Sequence, residues 1–152
     1  MTNEDTTQGF QDPEQNNSSL SMTTPVESIT KIADLQRMNM DQLTLFARNI
    51  GLKNLGALTR SQIVFEIVKF LSEKPQEVLV GEGVLEILPD GFGFLRSPNY
   101  NYLPSAEDIY VSPAQIRRFD LKKGDTVYGT IRSPKEKEKY FNFYILNVKL
   151  KN

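Results

Sequence analysis

The chain has no cysteine and no histidine among its 152 residues, and these two absences exclude most catalytic and metal chemistry. Without cysteine there are no disulfides and no thiolate ligands, as is usual for proteins of a reducing compartment. Without histidine there is no histidine-based triad, no imidazole general base and no zinc site built on imidazole. We therefore expect no catalytic residues, no metal and no cofactor in this chain.

Long apolar runs and a strong positive charge are also missing. No segment is apolar for long enough to span a bilayer, and the polar N-terminus has no signal-peptide core, which predicts a cytoplasmic protein with no membrane partner. The net charge is -1, but residues 1–28 carry five acidic and no basic residues, so the remainder has a surplus of four positive charges. Because this surplus is small, binding to a nucleic acid would need stacking and hydrogen bonds as well as charge.

The chain divides into three segments by composition and periodicity. Residues 1–28 are polar and acidic without periodicity, which predicts a disordered tail. Residues 29–77 have helical periodicity and predict a small helical subdomain, which is too small for an independent core and should pack against its neighbour. Residues 78–152 have the period of strands and predict a second domain.

Three helices are predicted in the first subdomain. Asn39 with Gln42 and Thr59 with Gln62 have the spacing of capping boxes, in which each side chain accepts a hydrogen bond from the backbone of the other residue. The predicted helices are a short one carrying Ile29, Ile32 and Leu35, one opened by Asn39 and ended by Gly51, and one opened by Thr59 that runs to about Ser72.

Five short strands are predicted in the second domain. They cover residues 84–88, 92–96, 108–111, 126–132 and 140–149. Ser112 as a cap and Pro113 at the first helical position predict a helical turn between the third and fourth strands. This order predicts an α+β fold in which a three-helix subdomain precedes a five-stranded antiparallel β-barrel of the OB type.

The second strand offers two faces. Phe92, Phe94 and Arg96 share one face, and Leu95 lies on the other. A phenylalanine in a strand is usually a core residue, and that interpretation remains open here. Because Arg96 extends the row and Leu95 offers a core-facing alternative, we expect Phe92 and Phe94 to be exposed.

The same alternation assigns the third and fifth strands. The predicted core residues are Ile109, Val111, Phe141, Phe143 and Ile145. The predicted outer residues are Tyr110, Tyr140, Asn142 and Tyr144. Phe92, Phe94 and Tyr110, with Tyr140 as a further candidate, would then form an aromatic face edged by Arg96, Asp108, Lys135, Glu138 and Lys139.

Exposed aromatic residues between basic ones are what stacking on unpaired bases requires, at ~1–3 kcal/mol per stacked base. A carboxylate on such a face would repel phosphate, but it can accept a hydrogen bond from the exocyclic amine of cytosine. Asp108 and Glu138 therefore indicate base selection, although Glu138 taken alone can equally be a solvated surface charge.

Several stretches of the chain form a distinctive pattern. They are Asp90-Gly91-Phe92-Gly93-Phe94-Leu95-Arg96, the run from Asp108-Ile109-Tyr110-Val111-Ser112-Pro113 to Arg117-Arg118-Phe119, Gly124-Asp125-Thr126, residues 131–136, Gly51-Leu52 and residues 58–64. Over about residues 30–150 this pattern closely resembles the N-terminal RNA-binding domain of the bacterial transcription termination factor Rho. The Phe-Gly-Phe string alone is shared with cold-shock domains, whereas its combination with the other stretches is specific.

The resemblance implies a cold-shock-like OB barrel that serves as the primary loading site for single-stranded, pyrimidine-rich and especially cytosine-rich RNA. By position it implies RNA-binding roles for Phe92, Phe94, Arg96, Asp108, Tyr110, Glu138, Lys139 and Tyr140. Lys139 stands where the family pattern has arginine, so a bidentate contact is not expected there.

The resemblance also implies a relation to ATP-driven RNA translocases, because the members of this family are homohexamers of that kind. Their motor needs a phosphate-binding loop of the type G-x-x-x-x-G-K-[ST], and no such stretch occurs in these 152 residues. We therefore expect this chain alone to be a monomer without enzymatic activity, and a hexamer only when attached to such a motor.

Two other functions remain open. A free-standing cold-shock-like RNA chaperone would share the barrel but bind with little preference for cytosine, and the helical subdomain before the barrel counts against it. A protein-interaction domain would use the outer aromatic residues to dock a partner protein, and a failure to bind poly(C) would favour it.

Overall fold

The computed structural model describes residues 27–151 and confirms the predicted α+β architecture. In chain order its elements are β1 (Ser28–Lys31), α1 (Ile32–Arg37), α2 (Met40–Ile50), α3 (Arg60–Ser72), β2 (Glu77–Ile87), β3 (Gly93–Arg96), a 3-10 turn (Pro98–Tyr100), β4 (Ile109–Val111), α4 (Pro113–Arg118), β5 (Thr126–Arg132), β6 (Phe143–Ile145) and β7 (Lys149–Lys151). The predicted disordered tail, residues 1–28, lies outside the described residues except for its last two positions, of which Ser28 begins β1.

Local capping chemistry fixes the ends of the longer helices. The Asn39 side chain accepts from the Gln42 backbone at 2.8 Å, and the Gln42 side chain accepts from the Asn39 backbone at 2.9 Å. The same reciprocal pair links Thr59 and Gln62. Helix α2 ends at Gly51, whose φ of 113° lies in the left-handed region that a glycine adopts without strain. Both predicted capping boxes and the predicted helix stop are confirmed.

Ile29 does not belong to the first helix, so that part of the prediction is wrong. It lies in β1, which pairs in parallel with the start of β2 and brings Ile29 opposite Val78. Helix α1 begins only at Ile32. The β-branched pair Ile29-Thr30 favours an extended backbone, and the adjacent strand offers partners for its hydrogen bonds.

The second domain is a closed barrel whose strands follow the order β2-β3-β4-β6-β5, and β2 pairs with β5 to close it. The first half of the long strand β2 pairs with β5, and its second half pairs with β3. The barrel is mixed rather than wholly antiparallel, because β4 and β6 run parallel. A parallel pair needs a crossover connection, and α4 and β5 form it. Strand β7 extends the sheet beyond β5.

The barrel core follows from one row of opposed residues. Leu85 faces Leu95, Leu95 faces Ile109, and Ile109 faces Phe143 across neighbouring strands. None of the four is more than 3% exposed. The predicted inward position of Leu95 is therefore confirmed. Gly93 permits this packing, because a Cβ atom there would lie 2.7 Å from Leu85 Cδ1.

The predicted fifth strand is broken into two short strands, β6 and β7. Phe143 and Ile145 are buried as predicted. Phe141, predicted to be core, is 79% exposed, and that prediction is wrong. The reason is that β6 begins at Phe143, so the alternation of faces does not extend back to residues 140–142. Among residues 27–151, no helix is long and apolar enough to cross a bilayer.

The helical subdomain is joined to the barrel by a buried carboxylate. Glu107 is 4% exposed and accepts hydrogen bonds from Ser61 Oγ at 2.8 Å, Tyr100 Oη at 2.9 Å and Gln36 Nε2 at 3.2 Å. Burial, together with the hydrogen bond to Glu107, raises the pKa of Tyr100 to about 12, which keeps its hydroxyl a donor. Phe65 of α3 adds an apolar contact, with its ring centroid 4.7 Å from that of Phe143.

Candidate nucleic-acid interface

One row of directly opposed residues crosses all five barrel strands on the outer face. It lies next to the core row, so the alternation along each strand turns its side chains outward. In barrel order the row is Glu86, Phe94, Tyr110, Tyr144 and Arg132. The barrel therefore presents three aromatic residues in line, with a carboxylate at one end and a guanidinium at the other.

Phe92 and Tyr140 complete this line into an aromatic cluster of five rings, which are those of Phe92, Phe94, Tyr110, Tyr140 and Tyr144. Tyr110 and Tyr140 are stacked with their centroids 5.1 Å apart and their planes 26° from parallel. Phe94 meets Tyr140 edge-on at 5.7 Å. Each such pair contributes ~0.5–1.5 kcal/mol beyond its buried area, so the rings hold one another in place.

The rings differ in exposure. Phe92, Tyr110 and Tyr140 are half-buried and each keeps part of its surface open to solvent. Phe94 is only 8% exposed, and the prediction that it is exposed is wrong. It does face outward, but the other rings cover it, with Phe92 at 5.8 Å and Tyr110 at 5.9 Å. Phe94 is thus the floor of the cluster.

Tyr144 is covered in the same way. It was predicted to lie outside and is 8% exposed, since the Tyr110 ring lies 4.9 Å away and the Arg132 guanidinium lies 4.9 Å from its centroid. Its hydroxyl accepts a hydrogen bond from the Tyr140 backbone at 3.1 Å.

Arg96 is buried, in contrast to the prediction that it extends the aromatic row into solvent. It is 9% exposed, and its guanidinium donates to Asp108 Oδ2 at 2.6 Å and to Glu86 Oε1 at 2.7 Å. Glu86 and Asp108 lie on the strand before it and in the loop before β4, so the alternation within a single strand could not reveal the pairing. The guanidinium also lies 5.4 Å from the Phe94 ring centroid.

Asp108 places an unsatisfied acceptor beside the cluster. It is 1% exposed, and its Oδ2 atom accepts from Arg96 and from the Ser105 backbone at 2.8 Å. Within residues 27–151, Oδ1 of Asp108 is the buried side-chain polar atom that has no hydrogen-bond partner. Burial raises the pKa of this carboxyl, although Arg96 opposes the shift. A buried acceptor without a partner is unfavourable until a donor reaches it.

Glu138 is held by an arginine that the sequence reasoning missed. Arg132 Nη1 and Nη2 donate to the two oxygens of Glu138 at 2.6 and 2.7 Å, and the Lys135 backbone donates at 2.6 Å. The hydrogen bond from Arg132 is the main cause that lowers the pKa of Glu138 to about 2. The available signal was that Arg132 ends the predicted fourth strand, but its partner across the barrel was not visible in the sequence.

The structure therefore brings the eight predicted residues to one face. Phe92, Tyr110 and Tyr140 offer ring surface, and exposed Lys139 has its Nζ atom 5.3 Å from the Tyr140 ring centroid. Phe94 and Arg96 support the face from below. Rings that are open on one side can stack on flat bases, a buried acceptor can accept a hydrogen bond from a base amine, and nearby cations can attract phosphate.

Comparison with known proteins agrees with this geometry. Residues 34–76 match the family model described as the Rho termination factor N-terminal domain, and residues 81–150 match that of its RNA-binding domain. The chain is 52% identical over 110 residues to transcription termination factor Rho of Rhodopirellula baltica, covering 72% of this chain and 21% of the relative.

Two further relatives carry the same name. Transcription termination factor Rho of Escherichia coli K12 is 46% identical over 116 residues, covering 76% of this chain and 27% of the relative. That of Buchnera aphidicola (subsp. Schizaphis graminum) is 47% identical over 113 residues, covering 74% of this chain and 27% of the relative. The chain thus spans about a quarter of the length of these relatives.

Proposed function

The chain belongs to the Rho termination factor family and corresponds to its N-terminal RNA-binding region, and from this premise we propose that its aromatic cluster is a primary loading site for single-stranded, cytosine-rich RNA. The observation that carries the proposal is the set of half-buried rings on the same face as a buried acceptor without a partner, which Arg96 links to the Phe94 ring.

Stacking supports a single-stranded ligand. Phe92, Tyr110 and Tyr140 each offer part of a ring to solvent, and bases can reach such rings only when they are unpaired. The barrel also has few cations at this face, with Lys135 and Lys139 exposed and Arg132 paired. Because electrostatic attraction to the RNA phosphates alone would give weak binding, stacking of ~1–3 kcal/mol per base would supply much of the affinity.

The Asp108 carboxylate supports a preference for cytosine. Cytosine presents an amine donor at N4, whereas uracil presents an oxygen acceptor at the equivalent position. Because Asp108 is buried in the unbound chain, the base would have to displace neighbouring side chains to reach Oδ1. The N4 amine would then satisfy this acceptor, and the Arg96 guanidinium beside it would donate to the acceptors of the same base edge. Uracil would instead leave two acceptors facing each other, which is unfavourable when water is excluded.

We propose that this chain alone binds RNA as a monomer in the cytoplasm and does not hydrolyse ATP, because its sequence contains no phosphate-binding loop. RNA-stimulated ATPase activity in the purified chain would contradict this. Hexamer formation and RNA translocation would require a motor domain.

The test is a comparison of oligo(C), oligo(U) and oligo(A) binding by fluorescence anisotropy, for the unaltered chain and for Asp108→Asn. The unaltered chain should bind oligo(C) tightest. Asp108→Asn should reduce the preference for oligo(C) over oligo(U) by about tenfold, as expected for one specific base contact of ~1–3 kcal/mol. Asp120→Asn is the matched control, because the Asp120 side chain is 85% exposed and its ion-pair partner, Lys122, is exposed as well.

Two outcomes would favour the other functions. Equal affinity for the three oligonucleotides would favour an RNA chaperone similar to cold-shock proteins. Absence of binding to all three would favour a protein-interaction domain.

A further inference from the structure

The loop between β5 and β6, residues 133–142, carries three of the predicted RNA-binding residues. They are Glu138, Lys139 and Tyr140. Strand pairing does not fix this loop, so other contacts must decide where the Tyr140 ring lies. The end of the loop is tied down by Asn142, whose side-chain amide donates to the Ser105 and Ala106 carbonyls, both at 3.2 Å. Two further contacts hold the part of the loop next to the aromatic cluster. One is the ion pair of Glu138 with Arg132, and the other is the hydrogen bond from the Tyr140 backbone to the Tyr144 hydroxyl.

Arg132 forms the first contact and lies against the ring of Tyr144, whose hydroxyl accepts the second. It is the last residue of β5 and lies directly opposite Tyr144 in the register. Its guanidinium is 4.9 Å from the Tyr144 ring centroid, and its two terminal nitrogens bind the two carboxylate oxygens of Glu138. Nη1 also donates to the Ser133 carbonyl at 3.1 Å. Its terminal nitrogens thus already point at protein acceptors.

The position of Tyr140 follows from these anchors. With its backbone bonded to Tyr144, the Tyr140 ring stacks on Tyr110 and approaches Phe92 to 5.1 Å. If the loop moved, Tyr110 would lose its stacked partner, and Tyr140 could no longer contribute to a base site. The fork geometry of arginine matters here, because a lysine offers a single point charge and cannot hold both oxygens of Glu138.

We propose that Arg132 is a positioning residue of the RNA site, which holds loop 133–142 through Glu138 and Tyr144 so that Tyr140 lies over the aromatic cluster. The proposal rests on the proposed function, since it explains how that site is kept in shape. It differs from a direct role, in which the Arg132 charge would contact an RNA phosphate.

The two roles predict different salt dependence and different effects of lysine. The experiment measures oligo(C) affinity over a range of salt concentrations for the unaltered chain, Arg132→Lys and Arg132→Gln. If Arg132 is a positioning residue, neither lysine nor glutamine can replace its two-point contact with Glu138. Both variants should then bind oligo(C) about tenfold more weakly, within the range for one stacked base. The slope of log affinity against log salt should stay that of the unaltered chain.

A phosphate contact would give the opposite pattern. Arg132→Lys would then retain most of the affinity, and Arg132→Gln would reduce the slope by about 0.7, the value for one contact on a single strand. Either result overturns the proposal. Lys123→Gln is the control for loss of one positive charge, because Lys123 is exposed in the turn before β5.

Two additional variants keep the test independent of folding defects. Glu138→Gln breaks the same ion pair from the other side and should reproduce the loss seen with Arg132→Lys. In a Tyr140→Ala background, Arg132→Lys should cause less than a twofold further loss, because both changes act through the same ring. Additive losses in that background would refute the proposal. If the unaltered chain fails to bind oligo(C), the proposed function itself is wrong, whereas binding that Arg132→Lys leaves unchanged contradicts the positioning role alone.

Discussion

Replacing Phe94 and Leu95 by alanine, one at a time, should separate the binding face from the core. The two residues are neighbours in β3 and point to opposite sides of the barrel wall. Leu95 belongs to the enclosed core row, and Phe94 is the floor of the aromatic cluster. The pair therefore tests the register on which the whole site depends.

The expected losses of stability differ because the surroundings differ. Leu95 is 1% exposed inside a closed barrel, where neighbouring side chains cannot collapse into the space, so Leu95→Ala should cost ~3–5 kcal/mol of unfolding free energy. Phe94 is 8% exposed under half-buried rings that can move into the space it leaves. Phe94→Ala should therefore cost less, ~2–3 kcal/mol, which is below the usual range for an enclosed phenylalanine.

The effects on RNA binding should be reversed. Phe94→Ala removes the ring on which the other aromatic residues pack and should weaken oligo(C) binding by ~1–3 kcal/mol. Leu95→Ala should leave the affinity of the folded fraction within ~0.5 kcal/mol of the original. The assay is urea denaturation and oligo(C) anisotropy on the same preparations, with affinities corrected for the folded fraction.

The opposite ranking would refute the reasoning. Phe94→Ala could instead lose more stability than Leu95→Ala and keep its affinity for oligo(C). In that case the outer and inner faces of β3 would be assigned the wrong way round. The RNA site would then have to lie elsewhere on the molecule.

Three other outcomes are expected. Tyr110→Ala should weaken oligo(C) binding by ~1–3 kcal/mol and should cost less stability than Leu95→Ala, since Tyr110 is half-buried; unchanged affinity in a binding titration would contradict its role. Glu107→Ala should lower the unfolding free energy by ~1–3 kcal/mol, because it leaves buried donors unpaired. The chain should still unfold in a single urea transition, because the two subdomains share one core, and two separate transitions in the unaltered chain would contradict that shared core. Glu138→Gln should lower the unfolding free energy at pH 7. Because folding lowers the pKa of Glu138 from 4.5 to about 2, the difference in unfolding free energy between the unaltered chain and the variant should shrink as the pH falls from 4.5 to about 2. A difference that stays constant in pH-dependent denaturation would argue against the ion pair.

The sequence predicted what depends on near neighbours. Capping boxes at Asn39 and Thr59 act over three residues, and the alternation that turned Leu95 inward and Tyr110 outward acts over two. These patterns can be recognised in the sequence without knowledge of which strands pair. The starts of α2 and α3 and the outward direction of Phe94 and Tyr110 follow from them.

What the sequence could not predict depends on distant pairing. Phe94 and Arg96 face outward as their alternation indicates, but their burial comes from residues on other strands and loops. The parallel pairing of β4 with β6 has the same origin, as does the contact of Arg132 with Tyr144. Alternation assigns a side chain to a face, whereas register decides what covers it.

The outer row of five residues also has a consequence for folding kinetics. Its central contact joins Tyr110 to Tyr144 across the parallel pair, and the segment of chain between these two strands contains α4 and β5. Pairing between distant segments forms late, because the loop must close before its contacts stabilise it. A refolding chain should therefore acquire its helices and the β2–β3 hairpin before it acquires any complete ligand site, so affinity for RNA would report the last step of barrel closure.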